Sequence, residues 1–120
     1  MKLLIEIRNA KPSWIALDSD ARDKFLSPVG SLMNKLAGEG AEIITWGLND
    51  DATPKRAPYD FFGVFSFLYE RAATEYEKVF EAAEWYDYFD QINIMGEMES
   101  YASVLRRLSD LEICTSIRDG

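Results

Sequence analysis

Alternating apolar and polar positions predict four β-strands along the chain. These strands are expected at residues 2–8, 41–49, 59–67 and 89–95. On the first of them every second residue is apolar, from Leu3 through Ile5 to Ile7. This two-residue period is typical of an extended chain, whose successive side chains point to opposite faces.

Apolar residues that recur every three or four positions predict helices between and after these strands. The helices are expected at residues 19–37, 70–84 and 100–108, with one further helical turn near Trp14. Pro28 lies inside the first of these helices. Proline has no backbone N–H and clashes with the preceding turn, and Ser27–Pro28 also resembles the start of a helix. We therefore expect this helix to kink or divide at Pro28.

The resulting order, β-α-β-β-α-β followed by a helix, is that of the ferredoxin-like fold. It predicts an α+β protein in which the helices lie on one face of a four-stranded antiparallel sheet. A chain of 120 residues is expected to form one domain. Its core is expected over residues 2–96 and a C-terminal extension over residues 97–120, with a last short strand near residues 111–117.

The more apolar face of each strand is expected to lie against the helices. The residues on that face are Leu3, Ile5, Ile7, Ile44, Trp46, Leu48, Phe61, Phe65, Phe67, Ile92 and Ile94. The opposite face mixes polar and apolar residues, namely Leu4, Glu6, Arg8, Ile43, Thr45, Asn49, Asp60, Phe62, Val64, Ser66, Phe89, Gln91, Asn93 and Met95. Its apolar members would form a patch that needs a partner. We therefore predict a homodimer in which two such sheets pack face to face.

Charge and composition exclude several classes of partner. The chain has 13 Lys and Arg against 21 Asp and Glu, a net charge of −8, which argues against nucleic acids and anionic membrane surfaces. No apolar run approaches the ~20 residues of a membrane-spanning helix. Glu6 and Arg8 interrupt any signal-peptide core, and the single Cys114 suits a reducing compartment. The expected location is the cytoplasm.

The absence of histidine narrows the possible chemistry further. It removes the commonest general base near neutral pH, the Ser-His-Asp triad and the commonest metal ligand. The acidic run at residues 49–51 lacks the spacing and the glycine of a calcium loop, and no glycine-rich phosphate cradle is present. We expect neither a metal nor a cofactor.

Three residues are candidates for catalysis. Asp60 lies between two aromatic residues at the start of a strand, where a desolvated carboxylate could take a proton next to a carbonyl group. The alternative is a hydrogen-bonded residue at the edge of a loop. Arg8 either pairs with Glu6 at the dimer interface or holds a carboxylate or enolate of a ligand. Asn93 either donates to an oxyanion or satisfies neighbouring backbone groups.

Aromatic residues are concentrated at residues 59–69 and 85–89. They either pack the core or form the walls of a pocket for a flat apolar ligand. The candidate ligand-binding residues are Trp46, Asn49, Tyr59, Phe62, Trp85, Tyr86 and Tyr88.

Three segments resemble a known superfamily. They are Gly47-Leu48-Asn49-Asp50, Arg56-Ala57-Pro58-Tyr59-Asp60-Phe61-Phe62 and Trp85-Tyr86-Asp87-Tyr88-Phe89-Asp90-Gln91-Ile92-Asn93. Together with the order of elements over residues 2–96, they resemble small stand-alone members of the dimeric α/β-barrel superfamily. The resemblance implies sheet-to-sheet dimers. The functions it implies range over cofactor-free monooxygenases, isomerases, cyclases and ligand-binding proteins, while the haem-degrading members rely on a histidine that this chain lacks.

Three functions remain open from the sequence. The first is a cofactor-independent enzyme that acts on a small apolar or aromatic carbonyl compound, as in a biosynthetic pathway. The second is a non-catalytic protein that binds such a compound in the same cavity. The third is a purely structural dimer.

Overall fold

The computed structural model describes residues 1–111. The elements are β1 (Lys2–Ala10), α1 (Pro12–Ile15), α2 (Ser19–Leu26), α3 (Val29–Gly38), β2 (Ala41–Leu48), β3 (Phe61–Phe67), α4 (Glu70–Ala82), a 3-10 turn (Trp85–Asp87), β4 (Phe89–Glu97) and α5 (Tyr101–Ser109). Four strands and a C-terminal helix therefore occur where the sequence predicts them. The short strand expected over residues 111–117 falls almost entirely outside the described residues.

The four strands form one antiparallel sheet in the order β2-β3-β1-β4. Together with the helices, this order makes the protein an α+β structure of the ferredoxin-like type and confirms the predicted fold class. Within residues 1–111, no helix has the length and apolar character needed to cross a membrane.

Pro28 divides the first helical stretch, as its chemistry predicts. Helix α2 ends at Leu26 and α3 begins at Val29. Asp18 caps the start of α2, where its carboxylate accepts a hydrogen bond from the Ala21 backbone N–H at 2.8 Å. Ser27 and Pro28 therefore separate two shorter helices instead of lying inside one long helix.

The predicted faces of β1 and β4 are inverted in the structure. Leu4, Glu6 and Arg8 are the buried residues of β1. Residues directly opposite one another in an antiparallel pair share a face. Pairing with Phe65 of β3 and Met95 of β4 therefore sets Leu4 and its alternate neighbours on the helix side.

The other face of the sheet, here called the open face, is covered by no described element. Its apolar residues are Leu3, Ile5, Ile7, Phe62, Val64, Ile92 and Ile94. The side expected to be mixed is therefore the one under the helices, and the isoleucines expected under the helices lie on the open face. The prediction was wrong for these strands because it ranked faces by hydrophobicity alone.

Strands β2 and β3 follow the prediction more closely. Phe61, Phe65 and Phe67 lie on the helix side, where Phe65 and Phe67 are buried. In β2 a register irregularity between Ile43 and Thr45 shifts the alternation. As a result Ile43, rather than Ile44, shares the helix side with Trp46 and Leu48.

Candidate functional site

A buried ion pair lies between the sheet and α4. Glu6 and Arg8 are two residues apart on β1, so both side chains project towards the helices. They are 1% and 0% exposed. Such charges are rarely buried unless they are paired and hydrogen-bonded. We call Glu6, Arg8, Tyr76 and Gln91 the Glu6–Arg8 cluster.

Three donors converge on the Glu6 carboxylate. The Tyr76 hydroxyl donates to Oε1 at 2.6 Å, and Arg8 Nη2 donates to the same oxygen. Gln91 Nε2 donates to Oε2. Burial nevertheless raises the pKa of the Glu6 carboxyl above its usual value, against the opposing effect of Arg8 and these hydrogen bonds. Glu6 therefore holds a proton more readily than an exposed glutamate does.

The Arg8 guanidinium lies among aromatic rings. Its Cζ is 4.6 Å from the ring centroid of Trp46 and 5.0 Å from that of Trp85, within the range of cation–π attraction. Arg8 Nε donates to Gln91 Oε1 at 2.7 Å. Arg8 Nη1 is buried and has no hydrogen-bond partner among the described residues. Within the part of the chain that the structure describes, this donor is therefore free for an added acceptor.

Gly63 leaves space beside the unpaired Arg8 Nη1. It pairs with Glu6 across the β1–β3 ladder. A Cβ at this position would lie 3.6 Å from Arg8 Nη1 and 2.9 Å from the Phe65 ring. A Cβ would therefore press on the Phe65 ring and come into ordinary contact with the guanidinium.

Gln91 connects the buried pair to the outer part of the site. Its Nε2 donates to Asn93 Oδ1 at 2.9 Å and lies 3.5 Å from the Tyr86 hydroxyl, while its Oε1 accepts from Trp85 Nε1 at 3.2 Å. Asn93 is exposed and Tyr86 half-buried. Burial raises the pKa of the Tyr86 phenol, and the nearby Glu6 carboxylate adds to this effect. Polar groups thus form a continuous path from Glu6 to the surface.

A strained backbone residue places Trp85. Glu84 has a φ of 63°, in the left-handed region that non-glycine residues seldom adopt. It lies two residues after the end of α4 and directly before the 3-10 turn. The Trp85 ring that follows stacks on Phe89 with a centroid distance of 4.2 Å. On the side of α2 and α3, Trp85 and Phe80 border a cleft of about 540 Å³.

The structure gathers half of the predicted site residues and separates the rest. Arg8, Asn93, Trp46, Trp85 and Tyr86 lie in or beside the Glu6–Arg8 cluster. Asp60, Asn49, Tyr59, Phe62 and Tyr88 lie elsewhere. The catalytic and binding roles assigned to all ten stay predictions, because position alone does not test them.

The expectation of a desolvated Asp60 carboxylate is wrong. The side chain is 78% exposed, and its Oδ1 lies 3.5 Å from Arg56 Nη2. Asp60 precedes β3 in the loop after β2, where its backbone carbonyl accepts from the Asn49 N–H at 2.8 Å. Its aromatic neighbours in sequence do not enclose it, because adjacent side chains in an extended segment point in opposite directions.

The other separated residues have structural contacts. Asn49 Nδ2 donates to the Tyr59 carbonyl at 2.8 Å and so stabilises the loop between β2 and β3. Phe62 lies on the open face, where its ring covers Gly47 so closely that a Cβ there would be 2.5 Å away. Tyr88 packs edge-on against Trp14, with a centroid distance of 5.7 Å.

Sequence reasoning missed three members of the cluster as site residues. Glu6 was interpreted as one half of an ion pair at a dimer interface, but it lies under α4. The sequence pattern places Tyr76 only within the helix expected over residues 70–84, and Gln91 only on the mixed face of the sheet. The available signal was Tyr76 itself, because a buried tyrosine needs a polar partner for its hydroxyl.

The donor set does not resemble a metal centre. Among residues 1–111, no group of three or more His, Cys, Asp or Glu side chains is placed to hold a metal ion. The Glu6 carboxylate faces an arginine, a phenol and an amide instead. This arrangement suits recognition of an anionic or strongly polar oxygen.

The fold resembles that of two solved proteins. The Arabidopsis thaliana protein At3g17210 aligns with a TM-score of 0.60 and 15% identity, over 83% of this chain and 97% of its own. A mutant chlorite dismutase from Candidatus Nitrospira defluvii aligns with a TM-score of 0.63 and 10% identity, over 85% of this chain and 42% of its own. This chain therefore spans less than half of that dismutase. At these identities the alignments show the fold alone, and both neighbours share the ferredoxin-like arrangement.

Comparison by sequence gives a family but no activity. A family model described as a family of unknown function, DUF6616, matches residues 1–111. No curated protein matches the chain.

Proposed function

The chain belongs to the DUF6616 family, and we propose that it is a cofactor-independent enzyme acting on a small apolar or aromatic carbonyl compound. The observation that carries this proposal is the buried Arg8 Nη1, which has no acceptor among residues 1–111 and lies beside a buried carboxylate. Buried donors without partners are rare and costly. A ligand oxygen at this position would satisfy Nη1.

In the proposed reaction Glu6 is the base and Arg8 stabilises the product anion. Glu6 Oε2 takes a proton from the carbon next to the carbonyl group. The electron pair of that C–H bond forms an enolate, and its negative oxygen accepts a hydrogen bond from Arg8 Nη1. The raised pKa of Glu6 suits this role, since a base is most effective when its pKa is near the working pH.

Trp85 controls access in this proposal. Glu6 and Arg8 are fully covered, whereas the cleft of about 540 Å³ reaches Trp85 from the other direction. The indole touches both regions: it lines the cleft and donates to Gln91. A rotation of its ring opens the cleft towards Arg8 and lets a flat ligand take the place of the indole.

Deuterium exchange tests the proposed proton transfer. Phenylacetone, an aromatic ketone, is incubated with the protein in D₂O, and loss of its benzylic proton signal is followed by NMR. We expect protein-dependent exchange that falls by ~10²-fold or more in Glu6→Gln, which keeps the shape but removes the base. Asp60→Asn is the matched control and should retain full exchange.

Each outcome of this experiment decides between functions. Exchange lost in Asp60→Asn but kept in Glu6→Gln would restore Asp60 as the base and overturn the role of Glu6. Binding of phenylacetone without exchange would favour the second function, a non-catalytic binding protein. If the protein neither binds phenylacetone nor exchanges its protons, the enzyme proposal is overturned. The structural dimer is then the function that remains.

We also propose that the protein is a homodimer joined through the open face. Ile92 and Ile94, at the centre of β4, are 49% and 61% exposed, and they continue an apolar surface that crosses β1 and β3. Apolar patches of this kind on a flat sheet generally mark an interaction surface. A second copy, related by a two-fold axis, presents a surface of the same shape and character.

A further inference from the structure

The cleft beside Trp85 has a distinct chemistry of its own. Its volume is about 540 Å³, within the range of small-molecule sites. It lies where Pro28 divides α2 from α3 and where both helices approach α4. Its lining consists of Lys24, Phe25, Pro28, Val29, Ser31, Leu32, Lys35, Phe80, Ala83 and Trp85.

The charges of this cleft are all of one sign. Lys24 in the last turn of α2 and Lys35 in the last turn of α3 are its only charged lining residues, and no carboxylate is among the rest. Neither lysine forms an ion pair with another residue of the described chain. In a protein with a net charge of −8, two unpaired lysines at one apolar cleft make a local site for an anion.

The remaining lining is apolar and partly aromatic. Phe80 and Trp85 meet edge-on with a centroid distance of 5.4 Å, and Phe25 lies 6.3 Å from Trp85 in a stacked arrangement. Phe80 and Trp85 are almost fully buried and form the base of the cleft. The half-buried Phe25 and Leu32 present the apolar surface that an aromatic or alicyclic body would contact. The cleft thus combines an apolar wall with a cationic rim, the complement of an amphipathic anion.

We propose that the cleft binds an apolar, preferably aromatic, monocarboxylate. The carboxylate lies between Lys24 and Lys35. The apolar body packs against Phe25 and Leu32, above the buried ring of Trp85. Resting on the proposed function, this identifies the substrate class as a carbonyl compound with a carboxylate at the far end from the reacting carbon. The carboxylate anchors the molecule at the rim while its other end passes Trp85 towards Arg8.

Two ligands that differ only in charge test this inference. 1-Naphthaleneacetate carries a carboxylate, and 2-(1-naphthyl)ethanol carries a neutral hydroxyl on the same ring system. Isothermal titration calorimetry at low ionic strength should give about tenfold tighter binding for the acid, because two exposed ion pairs each contribute modestly. The double variant Lys24→Gln, Lys35→Gln should abolish this preference and leave the affinity for the alcohol unchanged.

A second lysine pair provides the control for overall charge. The double variant Lys55→Gln, Lys78→Gln makes the same change in net charge at residues outside the cleft and should keep the tenfold preference. If both double variants lose the preference for the acid equally, the net charge of the whole protein, rather than the cleft, attracts the acid. Equal binding of acid and alcohol to the wild type, or binding of neither, would also overturn the inference.

The outcome is separable from that of the proton-transfer experiment. Glu6→Gln should bind 1-naphthaleneacetate within about twofold of the wild type, because the acid occupies the cleft and not the ion pair. Lysine-dependent binding without any deuterium exchange would support the cleft and overturn the enzyme. Glu6-dependent exchange without a preference for the acid would support the enzyme and overturn the carboxylate site.

Discussion

The two faces of the sheet distribute polarity in opposite ways. Under the helices, β1 presents Glu6 and Arg8, a charged pair that is fully buried. On the open face the same strand presents Ile5 and Ile7, opposite Ile94 and Ile92 of β4. A chain selected only for the stability of this single copy would place these residues the other way round, since burying ions costs several kcal/mol each before pairing.

The difference indicates what each face is for. A buried ion pair that an apolar pair could replace contributes little to stability by itself, so its retention fits a binding or catalytic role. An apolar surface on the outside contributes nothing to a lone chain, so it fits an interface. We therefore expect mutations on the helix side to alter stability and chemistry, and mutations on the open face to alter assembly.

The largest effect is expected from Arg8→Met. The change removes the cation from the Glu6 carboxylate but keeps most of the apolar volume, so that a buried carboxylate loses its partner. The free energy of unfolding, measured by urea denaturation, should fall by about 3–5 kcal/mol. The double variant with Glu6→Gln should recover most of this loss, because no buried charge remains. A loss below ~1 kcal/mol in the single variant would contradict the assigned ion pair.

The next effect concerns the open face. Val64→Asp places a charge at the centre of the proposed interface and should weaken dimerisation by ~10²-fold or more, since an unpaired carboxylate would be buried in each copy. Sedimentation velocity at micromolar concentration measures the change. Ile15→Asp, at an exposed residue of α1 rather than of the open face, should leave the dimer intact. A wild-type protein that sediments as a monomer would refute the proposed interface.

The smallest effects on stability are expected from alanine substitutions at two glycines that lie on opposite faces of the sheet. Gly63→Ala introduces a Cβ 2.9 Å from the Phe65 ring and should lower the free energy of unfolding by about 1–3 kcal/mol. Gly96 lies on the open face, and a Cβ there meets nothing within 4 Å. Gly96→Ala should therefore change stability by less than ~0.5 kcal/mol. If the two substitutions lower the free energy of unfolding equally, the expected contrast between the faces is wrong.

Local sequence patterns were sufficient to predict the strands, the helices and their order. The two-residue alternation of β1 and the helical spacing over residues 70–84 depend only on neighbouring residues, and both predicted elements are confirmed. Pro28 divides its helix because the missing N–H is a property of that residue alone. The ferredoxin-like arrangement follows from this order because handedness and antiparallel pairing leave few alternatives.

The faces of β1 could not be chosen from its own residues. Leu3, Ile5 and Ile7 are more apolar than Leu4, Glu6 and Arg8, and this ranking gave the wrong side. The deciding partners come from far along the chain: Tyr76 lies 70 residues from Glu6, and Gln91 lies 85 residues from it. Once these donors surround the carboxylate, its burial becomes tolerable.

The candidate site also shows that local sequence does not decide which side chains are enclosed. Arg8 and Trp46 are among the residues that the sequence proposes for the site, and the structure places both at the Glu6–Arg8 cluster. Their roles stay predictions. Asp60 was selected for its aromatic neighbours, yet the loop carries its carboxylate into solvent beside Arg56. Sequence proximity to Tyr59 and Phe61 says little about enclosure, which depends on elements that pack from elsewhere.

The sequence by itself determined the strands, the helices, their order and the divided helix at Pro28, since all of these arise from interactions over a few residues. Only the tertiary structure decided that Glu6 and Arg8 lie under α4, that the isoleucines lie on the open face, and that Trp85 separates the buried pair from a cleft with two lysines. The physical reason is that burial of a polar group depends on whether partners are available in space. Those partners are brought together by the folding of the whole chain.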